Sequence, residues 1–495
     1  MQMKYLSLLI LAVLLSVSSY SQSEKLKLTL EDVIEMASES SIDAFRIDNM
    51  YRASYWEFRY YKADKLPSLN LDATPVVFNR YRTREYNFQT NEEEYVQREY
   101  LNSDFSLSLN QNVALTGGSL FLQSQLGMVK NLGDSRNNSY QSTPISIGYT
   151  QSLNGYNQLK WKSRIEPLKF EKAKKNLIES REALSIKAVG KFFNLVDAQI
   201  QLNIAENNLA SADTLYRLGQ GRFQVGTITQ GELLNMELIL LNSKQSLNAA
   251  KSEVQRTQAD LNSFLGLEKT TLVDCVVPAD IPGIEVKAGL AIDKALENNP
   301  IVIGHRQQLL EQDENVARAK SEAGLNTSIF ALYGLDQSAP EFSDVYKNPD
   351  NSQRFRLGVS VPIVDWGRRK GRYQMAEYNR EVVKATIEQG RIDFEQELFQ
   401  DVIEFNLQAE QVKNAGLADT VARKGYEVTL QRFLIGKGDV TTLNIARNDL
   451  ETARRSYINA VRRYWNYYYT LRMKTLFDFV KNESLSVEYD KLLEK

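Results

Sequence analysis

The sequence predicts an α+β membrane protein with two structural repeats per chain, in which alternating strands cross the lipid and long coiled-coil helical hairpins stand outside it. Three observations predict this. Short motifs recur in the same order about 210 residues apart, apolar residues recur every seventh position along breaker-poor stretches, and shorter segments alternate apolar with small or polar residues. Only 25 glycines and 10 prolines among 495 residues leave few places to turn, which favours long elements. Lys and Arg total 60 against 62 Asp and Glu, a net charge of -2 that makes no electrostatic case for a nucleic-acid partner. With 1 Cys and 1 His, a disulfide framework is excluded and a Cys/His metal site is equally poor.

At the N-terminus Lys4 precedes an apolar run from Leu6 to Val17, followed by Ser18-Ser19-Tyr20-Ser21-Gln22. A basic start, a short apolar stretch and a small-residue zone read as a secretory signal over residues 1–21. A membrane anchor needs about 20 apolar residues, more than this run offers. No later stretch is a transmembrane-helix candidate. Any crossing of a bilayer must then use β-strands.

Arg222-Phe223-Gln224-Val225-Gly226 returns as Arg432-Phe433-Leu434-Ile435-Gly436, an offset of 210. Ser152-Leu153-Asn154-Gly155 aligns with Ile363-Val364-Asp365-Trp366 at 211, and Ala37-Ser38-Glu39-Ser40-Ser41 with Ala295-Leu296-Glu297-Asn298-Asn299 at 258. The jump of 48 places extra residues among the strands of the first copy, read as an added hairpin at about 79–127. The first repeat then spans 22–270 with a long helical hairpin at 155–266, and residues 271–288, with Pro278 and Pro282, form a linker. The second repeat spans 289–480 with its hairpin at 367–479, and 481–495 form a tail.

Within the hairpins Ala188, Leu195, Leu202, Leu209 and Tyr216 stand seven apart, and Leu398, Phe405, Val412, Asp419 and Tyr426 repeat that phase. Leu233, Leu240, Leu247, Val254 and Leu261 form another row, copied as Leu443, Leu450, Tyr457, Tyr464 and Leu471. Sustained heptads mean coiled-coil packing. A helix over 155–218 would be roughly 95 Å long. Tyr464, Trp465, Tyr467, Tyr468 and Tyr469 read as core, and His305 as solvated.

The segments Phe105 to Asn110, around Ile145, Ile147 and Tyr149, and Phe355, Leu357, Val359 and Val361 against Arg354, Arg356, Gly358 and Ser360 alternate as strands do. Residues 69–78 and 327–335 are less regular, and Leu115-Thr116-Gly117-Gly118-Ser119 reads as a hairpin turn. Residues 79–103, rich in Arg, Glu, Tyr and Asn, read as a solvated loop. A soluble half-buried sheet alternates in the same way; the signal and the long helices favour the membrane. Phe78, Tyr81, Tyr149, Phe355 and Trp366 are candidates for an interfacial belt. Four to six strands are fewer than the roughly eight that close a barrel, and lipid tolerates no open edge, so the chain must oligomerise.

The signal, the duplicated strand–long helix–turn–helix units and the Arg-Phe-x-Val/Ile-Gly turn closely resemble the TolC-like outer-membrane efflux and secretion channels, from Leu28-Thr29-Leu30-Glu31-Asp32 to about Phe479. The resemblance implies a homotrimer in outer-membrane lipid, with a twelve-stranded β-barrel continued by a periplasmic α-helical barrel. It also implies a periplasmic adaptor and an inner-membrane transporter as partners, and no cofactor. On this reading the turns carrying Arg222, Phe223, Val225, Gly226, Arg432, Phe433, Ile435 and Gly436 dock the adaptor. Read simply as structure, the glycines free the backbone and the apolar residues pack the end of the coil.

In the family, carboxylates just past these turns form a narrow gate, which makes Glu232 and Asp439 gate candidates; helix capping is the plainer role for both. The implied function is the exit duct of a tripartite efflux pump. The alternatives are an outlet for type I protein secretion and, from another class, a soluble periplasmic coiled-coil scaffold. No catalytic constellation accompanies His305 and no phosphate-cradling loop is present, so the energy for transport must come from a partner.

Overall fold

The computed structural model describes residues 25–494 except 90, 134–135, 279–280, 362 and 436. The expected signal at 1–21 and Gly436 therefore lie outside the described residues. In chain order the elements are β1 (Leu26–Leu28), α1 (Leu30–Ser40), α2 (Ile42–Ala63), β2 (Ser68–Asn87), β3 (Glu92–Val113), β4 (Gly118–Asn131), β5 (Asn138–Ser152) and α3 (Gln158–Gln224). They continue with α4 (Gln230–Leu265), β6 (Val273–Cys275), α5 (Ala288–Asn298), α6 (Pro300–Ala323), β7 (Asn326–Ala339) and β8 (Asp350–Ser360). The last are α7 (Arg368–Leu434), α8 (Val440–Thr475), β9 (Phe477–Asp478), β10 (Glu483–Ser484) and α9 (Tyr489–Glu494). The chain divides into two compact units, one of residues up to Arg52, Lys174–Pro300 and Ile392–Lys495, the other of Ala53–Ala173 and Ile301–Arg391.

The first unit is helical. Its core joins Leu30 and Val33 of α1, Phe192, Phe193 and Leu195 of α3, Leu261 and Leu265 of α4, Ala291 and Ala295 of α5, and Tyr464 of α8, all fully buried. The heptad rows contribute Leu195, Leu261 and Tyr464 to this core, and Leu398, Phe405 and Leu471 beside them. Asp419 breaks the second row but is buried against Arg454, whose guanidinium lies 3.1 Å away. Of the aromatic cluster Tyr464, Trp465, Tyr468 and Tyr469 are buried and Tyr467 partly so. Residues 271–288 are more than a tether, because β6 pairs parallel with β1 from Leu26↔Val273 to Leu28↔Cys275. Gln199 of α3 braces this strand, donating to the Val273 carbonyl at 2.6 Å and accepting from the Cys275 amide at 3.2 Å. Burial pushes the Cys275 thiol up to about 12, so it stays protonated and inert at neutral pH. The tail is also held: β10 pairs with β9, and Tyr489 meets Tyr51 at 5.6 Å between ring centres.

The second unit carries one antiparallel sheet of six strands in the order β2-β3-β4-β5-β7-β8. Six strands fall at the upper end of the four to six expected, above the four per chain that a twelve-stranded trimer implies. One expectation is corrected: residues 79–103 were expected to be a solvated loop, but most of them pair in the β2–β3 ladder, from Asn79 with Tyr100 to Asn87 with Glu92. Composition misled because the charges are cross-strand partners rather than loop solvation. Arg80 meets Glu99 at 2.7 Å, Arg84 meets Glu93 at 3.1 Å and Arg98 meets Glu85 at 2.6 Å.

The expected turn joins β3 to β4, with Gly117 at φ +77°, where only glycine is unstrained. The ladder shifts register between Thr74 and Val77 and between Ser142 and Ile145, around Pro75 and Pro144, the bulge positions at which a strand accommodates proline. In this unit His305 is partly buried, not solvated: its Nε2 lies 3.7 Å from where a Cβ on Gly390 would stand. Burial lowers its pKa.

Candidate functional site

The two helical turns of the first unit are the positions to which the repeated motif points. At the first, α3 ends at Gln224 with Arg222 in its last turn, and Gly226 takes φ +68°, a left-handed conformation that a side chain would strain. The Arg222 carbonyl accepts from the Thr227 amide at 2.9 Å. At the second, the Arg432 carbonyl accepts from the Lys437 amide, also at 2.9 Å. The same closure, an amide donating to the carbonyl five residues back, follows the Arg-Phe pair in each copy of the motif.

The side chains are not equivalent. Phe433 is 4% exposed, packed with Leu215 and Leu443, and its ring lies 5.8 Å beneath the Arg222 guanidinium. By contrast Phe223 is 41%, Ile435 65% and Val225 73% exposed. The expectation that all four pack the end of the coil therefore fails for three of them. Phe433 sits where the two hairpins meet, against Leu215 of α3 and Leu443 of α8, whereas the chain leaves Phe223, Val225 and Ile435 exposed.

Both gate candidates are helix caps. Thr229 is the N-cap of α4: its amide donates to Glu232 Oε2 at 2.7 Å while the Glu232 amide donates to Thr229 Oγ1 at 3.3 Å, a reciprocal capping box. Asp439 is the N-cap of α8, accepting from the Thr442 amide at 2.8 Å and its hydroxyl at 2.6 Å. The Thr229 amide holds the Glu232 carboxyl below its usual range, and Thr442 does the same for Asp439, so both stay ionised at neutral pH. Thr229 is a further functional position, legible as Thr-x-x-Glu ahead of an apolar row. Thr229→Ala is expected to fray the first turn of α4, read as faster hydrogen exchange at the amides of residues 231–233. Because the Glu232 pKa is depressed on folding, the cap contributes above the ordinary carboxylate range and is lost as pH falls through the lowered value. Exchange that is unchanged between neutral and acid pH, after correction for its intrinsic rate, would refute that role.

Among the described residues no helix is long and apolar enough to cross a membrane, and no group of three His, Cys, Asp or Glu could hold a metal ion. Residues 104–267 and 291–473 match the outer membrane efflux protein family. The pyoverdine export outer membrane protein OpmQ of Pseudomonas putida is 25% identical over 182 residues, 37% of this chain, and the chain spans only 38% of that relative's length. The crystal structure of the CmeC outer membrane channel from Campylobacter jejuni is similar in fold, with a TM-score of 0.64 at 16% identity over 94% of this chain and 88% of that one. The outer membrane protein VceC of Vibrio cholerae gives 0.62 at 12% identity over 90% and 95%. The family is one of channels rather than enzymes. With these two ranges making up more than half of the chain, the protein belongs to the outer membrane efflux protein family and is a channel of the outer membrane with a periplasmic extension.

Proposed function

We propose that three copies of this chain form the exit duct of a tripartite efflux pump, passively conducting solutes across the periplasm and the outer membrane. An inner-membrane transporter supplies the energy, and a periplasmic adaptor joins it to the duct at the helical turns. The observation that carries this reading is the exposure of Phe223, Val225 and Ile435 at the turns that follow the two long helices α3 and α7. Apolar side chains left exposed in this way suit a protein partner. The threefold assembly is supported by further apolar rows that a single chain leaves exposed, Leu234, Leu238 and Leu241 on α4 and Leu417, Val421 and Val428 on α7. The export of pyoverdine named for the Pseudomonas relative favours a small-molecule cargo over a secreted polypeptide. Three copies of Glu232, each kept ionised by its cap, would make a cation-attracting ring near the turns; Asp439 is assigned to capping.

Detergent extraction followed by mass measurement tests membrane residence and the trimer together; a monomer released without detergent would favour the soluble scaffold. Val225→Asp and Ile435→Asp, singly, are expected to leave expression and assembly unchanged and to sensitise cells to exported compounds as a deletion does. Full resistance in both variants would remove the docking role from these turns. A deletion strain that instead loses a secreted protein would move the cargo to polypeptides.

A further inference from the structure

The sheet of the second unit ends at β2 on one side and β8 on the other. We propose that the β2 edge of one copy pairs antiparallel with the β8 edge of the next, so that three six-stranded sheets close into one wall of eighteen strands rather than twelve. The inference rests on the threefold reading above and concerns what each copy contributes to it.

The strands that the added residues supply, β3 and β4, run within the sheet between β2 and β5. β3 and β4 pair without a register shift from Val113↔Gly118 to Tyr100↔Asn131. β4 in turn pairs with β5 from Ser119↔Thr150 to Lys130↔Asn138, with one bulge. Each of these ladders exceeds the roughly 9–11 residues that cross a bilayer. Their faces also match those of the other strands. Cross-strand register lines up Leu69, Leu109, Leu122, Ile147 and Tyr333 on one face of β2, β3, β4, β5 and β7. All five are exposed in the single chain. The opposite face lines up Asn70, Ser108, Gln123, Ser146, Gly334 and Ser352 across all six strands. An apolar row and a polar row on opposite faces, continuous through the added strands, suit lipid outside and water inside.

The two edges fit each other. β2 leads away from α2 and β8 returns toward α7, so edges from neighbouring copies meet antiparallel, and an even strand number per chain keeps that alternation around the ring. Leu69 and Leu71 of β2 and Leu357 and Val359 of β8 stand on the same apolar face and are exposed. Lipid offers unpaired edge amides and carbonyls no other partner. With strands about 4.8 Å apart and tilted about 40°, eighteen strands enclose a tube roughly 36 Å across between backbones, against roughly 24 Å for twelve. The bore then has about twice the area, and Arg354 and Arg356 line it, the latter 5.9 Å from the Phe330 ring.

Electron cryo-microscopy of the full chain in detergent tests this by counting strands in a section across the sheet. A threefold particle with eighteen strands is expected. A threefold particle with twelve strands overturns the inference and leaves the duct intact, whereas a particle without threefold symmetry overturns the reading beneath it. A second measurement uses cysteine labelling in intact membranes. Leu122→Cys is expected to resist a charged maleimide that labels Phe88→Cys, at the fully exposed turn between β2 and β3. Equal labelling of the two places β4 in water and overturns the inference.

Discussion

Arg472→Met is expected to destabilise the helical unit by about 3–5 kcal/mol, because it strands two buried carboxylates. Arg472 Nη2 donates to Glu182 Oε1 at 2.9 Å and Nη1 to Asp478 Oδ2 at 3.1 Å, with the Tyr468 and Tyr469 rings 5.5 and 5.2 Å from the guanidinium carbon. Asp478 is further tied by the Tyr468 hydroxyl at 3.0 Å and by the Val480 and Lys481 amides. Burial pushes the Glu182 carboxyl above its usual range against the pull of Arg472. A carboxyl whose pKa rises on folding favours the folded state below its ordinary range, and that contribution is lost as pH rises through the folded value. The cost of Arg472→Met is therefore expected to shrink toward acid pH, as the stranded Glu182 carboxyl takes up a proton. Glu182→Gln in the same background is expected to recover part of the loss at neutral pH. Denaturant melts of the detergent-extracted protein measure all three; a loss under about 1 kcal/mol for Arg472→Met would show that the cluster is not held by its cation.

Phe405→Ala is expected to cost about 3–5 kcal/mol, the range for emptying a fully buried aromatic site. Phe405 is 1% exposed, with its ring 5.3 Å from that of Tyr464, whose hydroxyl donates to the Pro282 carbonyl. The cavity would thus open where α7, α8 and the segment before α5 meet. Phe405→Leu keeps most of the volume and is expected to cost under about 1.5 kcal/mol. Val421→Ala, on an exposed row of the same helix, is expected to change little in a dissociated chain. Similar losses for Phe405→Ala and Val421→Ala would mean that the heptad row does not separate the inside of the helical unit from its outside.

The family was legible because its signals are one-dimensional. A seven-residue period in Leu398, Phe405 and Val412, a repeated Arg-Phe-x-x-Gly turn and alternation in Phe355, Leu357 and Val359 can each be read without knowing what faces them. Residues 79–103 were misread because charge composition does not reveal cross-strand pairing; Arg80 and Glu99 are 19 positions apart and meet only in the ladder. The same holds for the tips, where Phe223 and Phe433 occupy identical motif positions and only one has a pocket to fill.

Spacing along the chain was enough to read the recurring motifs, the long helices, the turns that end them and the alternating strands, since each is visible without knowing what faces it. Tertiary structure decided that the sheet has six strands, that Phe433 is buried while Val225 is bare, that Arg472 joins Glu182 to Asp478, and that Glu232 and Asp439 cap helices. Those outcomes depend on which side chains distant segments bring within a few ångströms of one another, and hydrogen bonds, ion pairs and packing all vanish beyond that distance.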